Sequence, residues 1–265
     1  MNIFIREMRA HRKSLILWCI GVLIMVVSGM SKYAVYSGTG KSINDIMAEM
    51  PKSVQLIFGT GSFDLSKASG FYGMLFLYLV IMATVHAAML GATIIAKEER
   101  DKTAEFLFVK PVSRNKIITA KLLAAFTNIL IFNIVTLLSS IWIVRYYSKG
   151  EAVTGDILKL MMGMFVLQLM FMLIGTGIAA ISKKPKTAGS RATAILLVAF
   201  VLYKVSDMSS KLENLKYLTP FKYYDAKNLM YGGGFEPVYV ILSVVIIAVL
   251  FGTTYVFYKR RDLNV

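Results

Sequence analysis

Residues able to carry out acid–base, nucleophilic or metal chemistry are sparse in this sequence. Among its 265 residues are 15 Asp and Glu, two histidines and one cysteine. No carboxylate falls in the middle of an apolar run, which argues against a proton- or cation-driven carrier with its coupling acids at membrane depth. No H-E-x-x-H motif and no serine or cysteine nucleophile motif occurs. The sequence therefore predicts no catalytic residue, no metal site and no directly bound cofactor.

A glycine-rich segment, SGTGKSIN at 37–44, resembles a phosphate-binding loop. That motif requires G-x-x-x-x-G-K-[ST] between a strand and a helix. Val35 stands where the first glycine is required, and the segment follows an apolar run. We therefore interpret it as a glycine-rich turn rather than a nucleotide site.

A few polar side chains do lie inside the apolar runs. Polar residues at bilayer depth often mark a functional pathway, but they also join neighbouring helices through hydrogen bonds. Both interpretations stay open at this point. The candidate pathway or bundle-joining residues are His86, Asn128, Asn133 and Gln168.

The segment 97–116, KEERDKTAEFLFVKPVSRNK, is half charged and separates two long apolar runs. Thr103 can cap a short helix whose first turn carries Glu105, and Pro111 ends that helix. Its apolar patch, 106–109, is ringed by both charge signs and suits docking into a groove of a cytosolic protein. The alternative is a simple hairpin whose basic residues only set the orientation.

The chain resumes its apolar character directly after this segment. Ser113 is placed to cap the next helix. Lys121 lies further into that helix, and we expect its long side chain to snorkel back to the membrane surface.

The composition shows what must hold these residues in place. The chain is 57% hydrophobic and 17% charged, with a mean hydropathy of +0.63 and a net charge of +15. Soluble domains carry about a quarter charged residues. We therefore expect a membrane protein whose basic flanks face anionic lipid, not a nucleic-acid-binding protein.

Six apolar runs are candidates for membrane-spanning helices. Connections on the side of the N-terminus are short and rich in Lys and Arg, so both termini and segment 97–116 are predicted to be cytosolic. The six runs are 15–30, 72–96, 117–144, 157–181, 192–205 and 238–258.

Three further segments refine this all-α membrane fold, a single transmembrane domain over 1–265. Residues 1–14 mix basic and apolar side chains and suit an interfacial helix. Residues 43–58 have helical apolar spacing and suit an amphipathic outer segment. The outer loop 206–237 combines Pro220 with three glycines and many aromatic residues, and we expect it to be re-entrant.

The sequence resembles the permease subunits of type-2 ABC exporters, an architecture also called type V. In that family the loop between the second and third spans reads as an acidic pair, Thr-x-Glu, an apolar turn and Pro-x-Ser-Arg, followed by a lysine in the third span. The matching residues here are Glu98, Glu99, Thr103, Glu105, Phe106, Leu107, Phe108, Val109, Pro111, Ser113, Arg114 and Lys121.

The resemblance extends along the whole chain. MPKSVQLIFG at 50–59, LTPFKYY at 218–224 and YKRRDL at 258–263 match further family segments in the same order. Thr219 stands where serine is common in the family, and Ala104 stands where glycine is frequent.

This resemblance implies that 103–109 is a coupling helix on which a separate cytosolic ATPase docks. ATP-driven closure of two such ATPases, which hold ATP and Mg²⁺, would swing the spans, while Glu98, Glu99 and Arg114 hold the hinge by ion pairing. A second permease copy or paralogue and membrane lipids complete the expected partners. The implied coupling residues are Glu98, Glu99, Thr103, Glu105, Phe106, Leu107, Phe108, Pro111 and Arg114.

The expected function is therefore ATP-driven export across the plasma membrane, with an antimicrobial peptide or a drug as the favoured substrate. The alternatives are an ion-coupled secondary transporter and a non-catalytic membrane scaffold.

Overall fold

A computed structural model describes residues 2–38, 43–51, 54–55, 58–61, 63–101, 112–148, 150–182, 185–208 and 210–260. All regular structure in these residues is helical, in agreement with the predicted fold class. The α-helices are α1 (Ile3–Gly38), α2 (Ile43–Ala48), α3 (Ala68–Arg100), α4 (Arg114–Tyr147), α5 (Thr154–Ile181), α6 (Ala188–Met208), α7 (Pro220–Tyr223), α8 (Ala226–Tyr231) and α9 (Pro237–Arg260). Two 3-10 segments, Pro185–Thr187 and Ser210–Tyr217, complete the described elements.

Six of these helices, α1, α3, α4, α5, α6 and α9, are long and apolar enough to cross a membrane. Each contains one of the six predicted runs, so those predictions are confirmed. Residues 3–14, predicted as an interfacial helix, form the first turns of α1 without a break. With 36 residues, α1 is about 54 Å long, well beyond the roughly 30 Å of a hydrocarbon layer, so its ends extend past that layer.

The core of the bundle is the contact between α3 and α5, while α1 packs on α4 and α9 lies at the periphery. Two glycines allow the close approach of α3 and α5. A Cβ atom on Gly91 would lie 2.1 Å from the Met172 carbonyl oxygen, and one on Gly175 would lie 2.3 Å from the Ala88 carbonyl oxygen. The two backbones therefore touch where larger residues would hold them apart.

The loop 206–237 folds back against the bundle. Thr219 donates a hydrogen bond to the carbonyl of Ala199 (2.8 Å), which lies about 13 Å from the end of α6. The Phe221 ring packs between Phe171 and Phe200, with centroid distances of 5.1 and 5.6 Å. This arrangement is compatible with the predicted re-entrant loop, because protein covers its backbone.

A clasp of hydrogen bonds around Asp64 joins the segment that precedes α3 to α2 and to the last turns of α1. Asp64 accepts hydrogen bonds from the Asn44 side chain (2.7 Å) and from the Ser66 hydroxyl (2.5 Å). Tyr33 on α1 donates to the Ser66 carbonyl (3.1 Å). The bonds from Ser66 and Asn44 stabilise the carboxylate and lower the pKa of Asp64 below its ordinary value. The clasp therefore fixes α2 and the start of α3 against α1.

The α3–α5 contact can be tested with two glycines of one helix. We expect Gly175→Ala to lower the free energy of unfolding by about 1–3 kcal/mol, because its new methyl group meets the backbone of α3. The melting temperature in detergent measures this loss. Gly177→Ala is the matched control, since its nearest neighbour would be the Thr254 hydroxyl at 3.8 Å. Equal melting temperatures for the two variants would contradict this packing.

Candidate functional site

Three helix ends meet beside the predicted coupling segment. Helix α3 ends at Arg100, and α4 begins at Arg114, with the Ser113 side chain accepting a hydrogen bond from the Lys116 N–H (3.4 Å). The predicted Ser113 cap is therefore confirmed. The first turns of α1 pack against both helices at this end, as the contacts of Arg6 and Glu7 demonstrate.

A buried lysine lies at the centre of this junction. Lys121 on α4 is 0% exposed, and its ammonium group donates to both carboxylate oxygens of Glu98 on α3, at 2.8 and 2.6 Å. The third donor bond goes to the carbonyl of Ile94 at 2.6 Å. All three N–H groups of the ammonium thus have an acceptor, as burial of this charge requires.

The N-terminal helix adds a second ion pair to the first. Arg6 donates to Glu7 Oε1 (2.8 Å) and to Glu98 Oε1 (2.7 Å) through the same nitrogen, Nη2. Glu7 is 0% exposed, and its Oε1 lies 3.6 Å from Lys121 Nζ. We call Arg6, Glu7, Glu98 and Lys121 the buried charge network. Its two cations and two anions come from α1, α3 and α4 and sum to zero charge, so the three helix ends are held together without an unpaired buried ion.

Comparison with known proteins identifies the family. The family model described as "ABC-2 family transporter protein" matches residues 1–263. The chain belongs to the ABC-2 transporter family. No curated protein matches it.

Membership of the ABC-2 family has direct consequences. The chain is a membrane subunit of an ABC transport system, a class that is typically not itself catalytic, and the family implies an ABC ATPase partner. The six apolar helices agree with a multi-pass membrane protein. The groups of His, Cys, Asp and Glu in the described ranges include no candidate metal cluster.

The prediction that Lys121 of the ABC-2 protein snorkels to the membrane surface is wrong. Its side chain does not snorkel to the surface but points inward to Glu98, because the neighbouring helices supply enough acceptors to satisfy the charge. Sequence reasoning also missed Glu7. The available signal was that Glu7 is the one acid in the otherwise basic stretch 1–14.

The residues predicted to couple the ABC-2 permease to its ATPase fall into two groups. Glu98 lies in the buried charge network, and Glu99 is half-buried beside it on α3. Arg114 donates to the carbonyl of Lys259 (2.8 Å) and so joins the start of α4 to the end of α9. The remaining residues, within 102–111, lie outside the described part of the chain; they are Thr103, Glu105, Phe106, Leu107, Phe108 and Pro111.

The four polar residues that the sequence singles out, His86, Asn128, Asn133 and Gln168, are all buried within the bundle. Asn133 on α4 donates to the Gln168 side chain on α5 (3.1 Å), which favours the bundle-joining interpretation for this pair. Asn128 donates to the Ala124 carbonyl of its own helix (2.7 Å). The His86 ring lies between Trp18 and Phe132, at centroid distances of 5.4 and 5.0 Å. The described contacts place His86 and Asn128 in the packed interior.

Removing the central cation of the buried charge network tests its structural role. Lys121→Met leaves Glu98 and Glu7 buried with only the half-exposed Arg6 to pair them, so we expect a loss of about 3–5 kcal/mol in unfolding free energy. The melting temperature of the full chain in detergent micelles measures this loss.

The matched control is Lys116→Met, five residues earlier on the same helix, where the side chain is exposed. We expect this variant to melt within a degree or so of the parent chain, because exposed charges contribute little. If Lys121→Met proved as stable as Lys116→Met, Lys121 could not be the centre of a buried ion network.

Proposed function

We propose that this ABC-2 protein is the permease of an ATP-driven export system, energised by a separate ATPase that docks on residues 103–109. The observation that carries the proposal is the buried charge network. Glu98, just before the docking segment in the chain, is ion-paired to Lys121 on α4 and to Arg6 on α1. A displacement of the segment would therefore move three helix ends together instead of bending one.

The strength of the ion pairs in the buried charge network supports a joint movement of the three helix ends. Ion pairs in a low-dielectric interior are stronger and stiffer than exposed pairs, and bonds within a network reinforce one another. An exposed pair of the kind formed by Arg100 and Asp101 would yield to small forces. The coupling segment would thus be backed by a firm junction, as the transmission of movement requires.

The proposed partner set follows from the resemblance to type-2 ABC exporters. Two ATPase copies would hold ATP and Mg²⁺ and act on two permeases, either identical or paralogous. Direct nucleotide binding by this chain is disfavoured because its one glycine-rich lysine segment lacks the first glycine of the phosphate-binding motif.

The proposed topology has both termini in the cytosol of a plasma-membrane protein. Arg6 on α1 contacts Glu98, and Arg114 on α4 contacts Lys259 on α9. These contacts support a common side for both ends of the chain and the 97–116 segment. The basic residues of that side favour the cytosol.

The favoured substrates remain antimicrobial peptides and drugs, with transport directed outward. The supporting feature is the size of the two longest connections on the predicted outer side, 39–67 and 209–236, which exceed the cytosolic connections in length but are too short for a large outer domain. Resistance to a toxic compound is the corresponding cellular role.

Docking through the apolar patch is tested by changing Phe106. We expect Phe106→Asp to abolish co-purification of the ATPase with the tagged full-length chain, because a charge would enter an apolar groove. The matched variant Phe106→Leu retains an apolar side chain and is expected to keep the ATPase bound. If Phe106→Asp retains both the ATPase and transport, the docking site lies elsewhere.

The alternatives give different results in vesicles that contain only this chain. We expect no uptake in response to a pH gradient, and substrate movement only when the ATPase and ATP are added. Uptake driven by the gradient alone would favour an ion-coupled carrier. A complete transporter complex that moves no substrate in a panel of peptides and drugs would favour a scaffold.

A further inference from the structure

An apolar cleft of about 270 Å³ opens on the outside of the bundle between α4, α5 and α9. Its walls include Leu123 and Phe126 on α4, Leu173 on α5 and Phe251 on α9. Leu123 is 54% exposed and Phe251 is 46% exposed, so both present apolar surface to the surroundings. The cleft therefore has the shape and chemistry to hold a hydrocarbon chain.

One end of the cleft is polar. The hydroxyl groups of Thr119 on α4 and Tyr255 on α9 are 2.7 Å apart. Thr119 already donates its hydrogen to the Asn115 carbonyl (2.7 Å), so Tyr255 is the donor to Thr119. This bond joins α4 and α9 and marks where the apolar cleft gives way to the helix ends.

Basic residues lie near this polar end along both helices: Lys116 precedes Thr119 by three residues on α4, and Lys259 follows Tyr255 by four residues on α9. Lys116, Lys259 and Arg260 are exposed, and Arg114 binds the carbonyl of Lys259 and holds the end of α9 beside α4. The lining stretches 112–126 and 247–260 contain no Asp or Glu. Cations without acids beside an apolar cleft are the pairing that an anionic phospholipid requires, because its acyl chains need apolar walls and its phosphate needs positive charge.

We propose that this cleft binds one anionic phospholipid, with an acyl chain between α4 and α9 and its phosphate against Lys116, Lys259 and Arg260. By the predicted orientation the site opens to the cytoplasmic leaflet, where anionic lipids attract basic residues. The bound lipid would link α9 to the start of α4, close in the chain to the coupling segment. This site is independent of which substrate the transporter moves.

A second copy of the chain is a poorer occupant. A two-fold interface places the same surface of each copy against itself. The basic ends of α4 and α9 from the two copies would then approach one another, and like charges would oppose the contact. A lipid phosphate neutralises these charges instead.

The full-length chain, purified in detergent from bilayers of equal phosphatidylglycerol and phosphatidylcholine with matched acyl chains, tests the proposal by native mass spectrometry. We expect phosphatidylglycerol to be retained over phosphatidylcholine by about fivefold or more. The triple variant K116Q/K259Q/R260Q is expected to lose this preference. The control R9Q/R12Q/K13Q removes the same charge from exposed positions of α1 and is expected to keep it.

A second pair of variants tests the contribution of the apolar cleft independently of that of the basic residues. Leu123→Trp fills the cleft and is expected to reduce the retained lipid, whereas Leu138→Trp, at a similarly exposed position of α4, is expected to have no effect. Melting temperatures confirm that each variant is folded.

The position of the bound lipid is tested with phosphatidylglycerol that carries a photoreactive acyl chain. Cross-links are expected on the peptides of α4 and α9 that line the cleft. Equal retention of the two lipids or cross-links confined to other helices would overturn the proposal. It would also fail if Leu123→Cys, in a Cys19→Ser background, formed disulfide-linked dimers in the bilayer, because a second copy would then occupy the cleft.

Discussion

The burial of the Lys121 ammonium constrains how the start of α1, the end of α3 and the start of α4 can be arranged. A charge withdrawn from water is tolerated only where opposite charges and hydrogen-bond acceptors surround it. Glu98, Glu7 and the Ile94 carbonyl supply them from two other helices. Any movement that separated these helices would leave unpaired charge in the bundle, so the three ends form one mechanical unit.

Contacts outside the buried charge network join further helices to this unit. Arg114, at the start of α4, binds the Lys259 carbonyl at the end of α9. Gly91 and Gly175 let the backbone of α3 lie against that of α5 in the middle of the bundle. The clasp around Asp64 joins the opposite end of α3 to α1 and α2. Contacts between helices thus extend along α3 from the buried charge network to the Asp64 clasp.

Local patterns in the sequence predicted much of this fold. Apolar runs predicted the six spans, and Ser113 predicted the start of α4. Span hydropathy and helix capping both depend on residues that are near one another in the chain. The charge network was not predictable in this way, since Glu7 and Lys121 are far apart in sequence and the pattern does not say which helices pack together. The sequence predicts Lys121 at the membrane surface because it does not show that α1 and α3 supply acceptors beside α4.

In the proposed mechanism, the ion pair between α3 and α4 carries the ATPase movement into the permease. A double-mutant cycle on Glu98 and Lys121 in the assembled complex tests it most directly, with melting temperature and permease-stimulated ATP hydrolysis as readouts. We predict that E98Q/K121M recovers part of the stability lost in each single variant, because Arg6 and Glu7 still neutralise each other. The same double variant should bind the ATPase but no longer stimulate its ATP hydrolysis. Additive stability losses, or full stimulation in the double variant, would contradict the account.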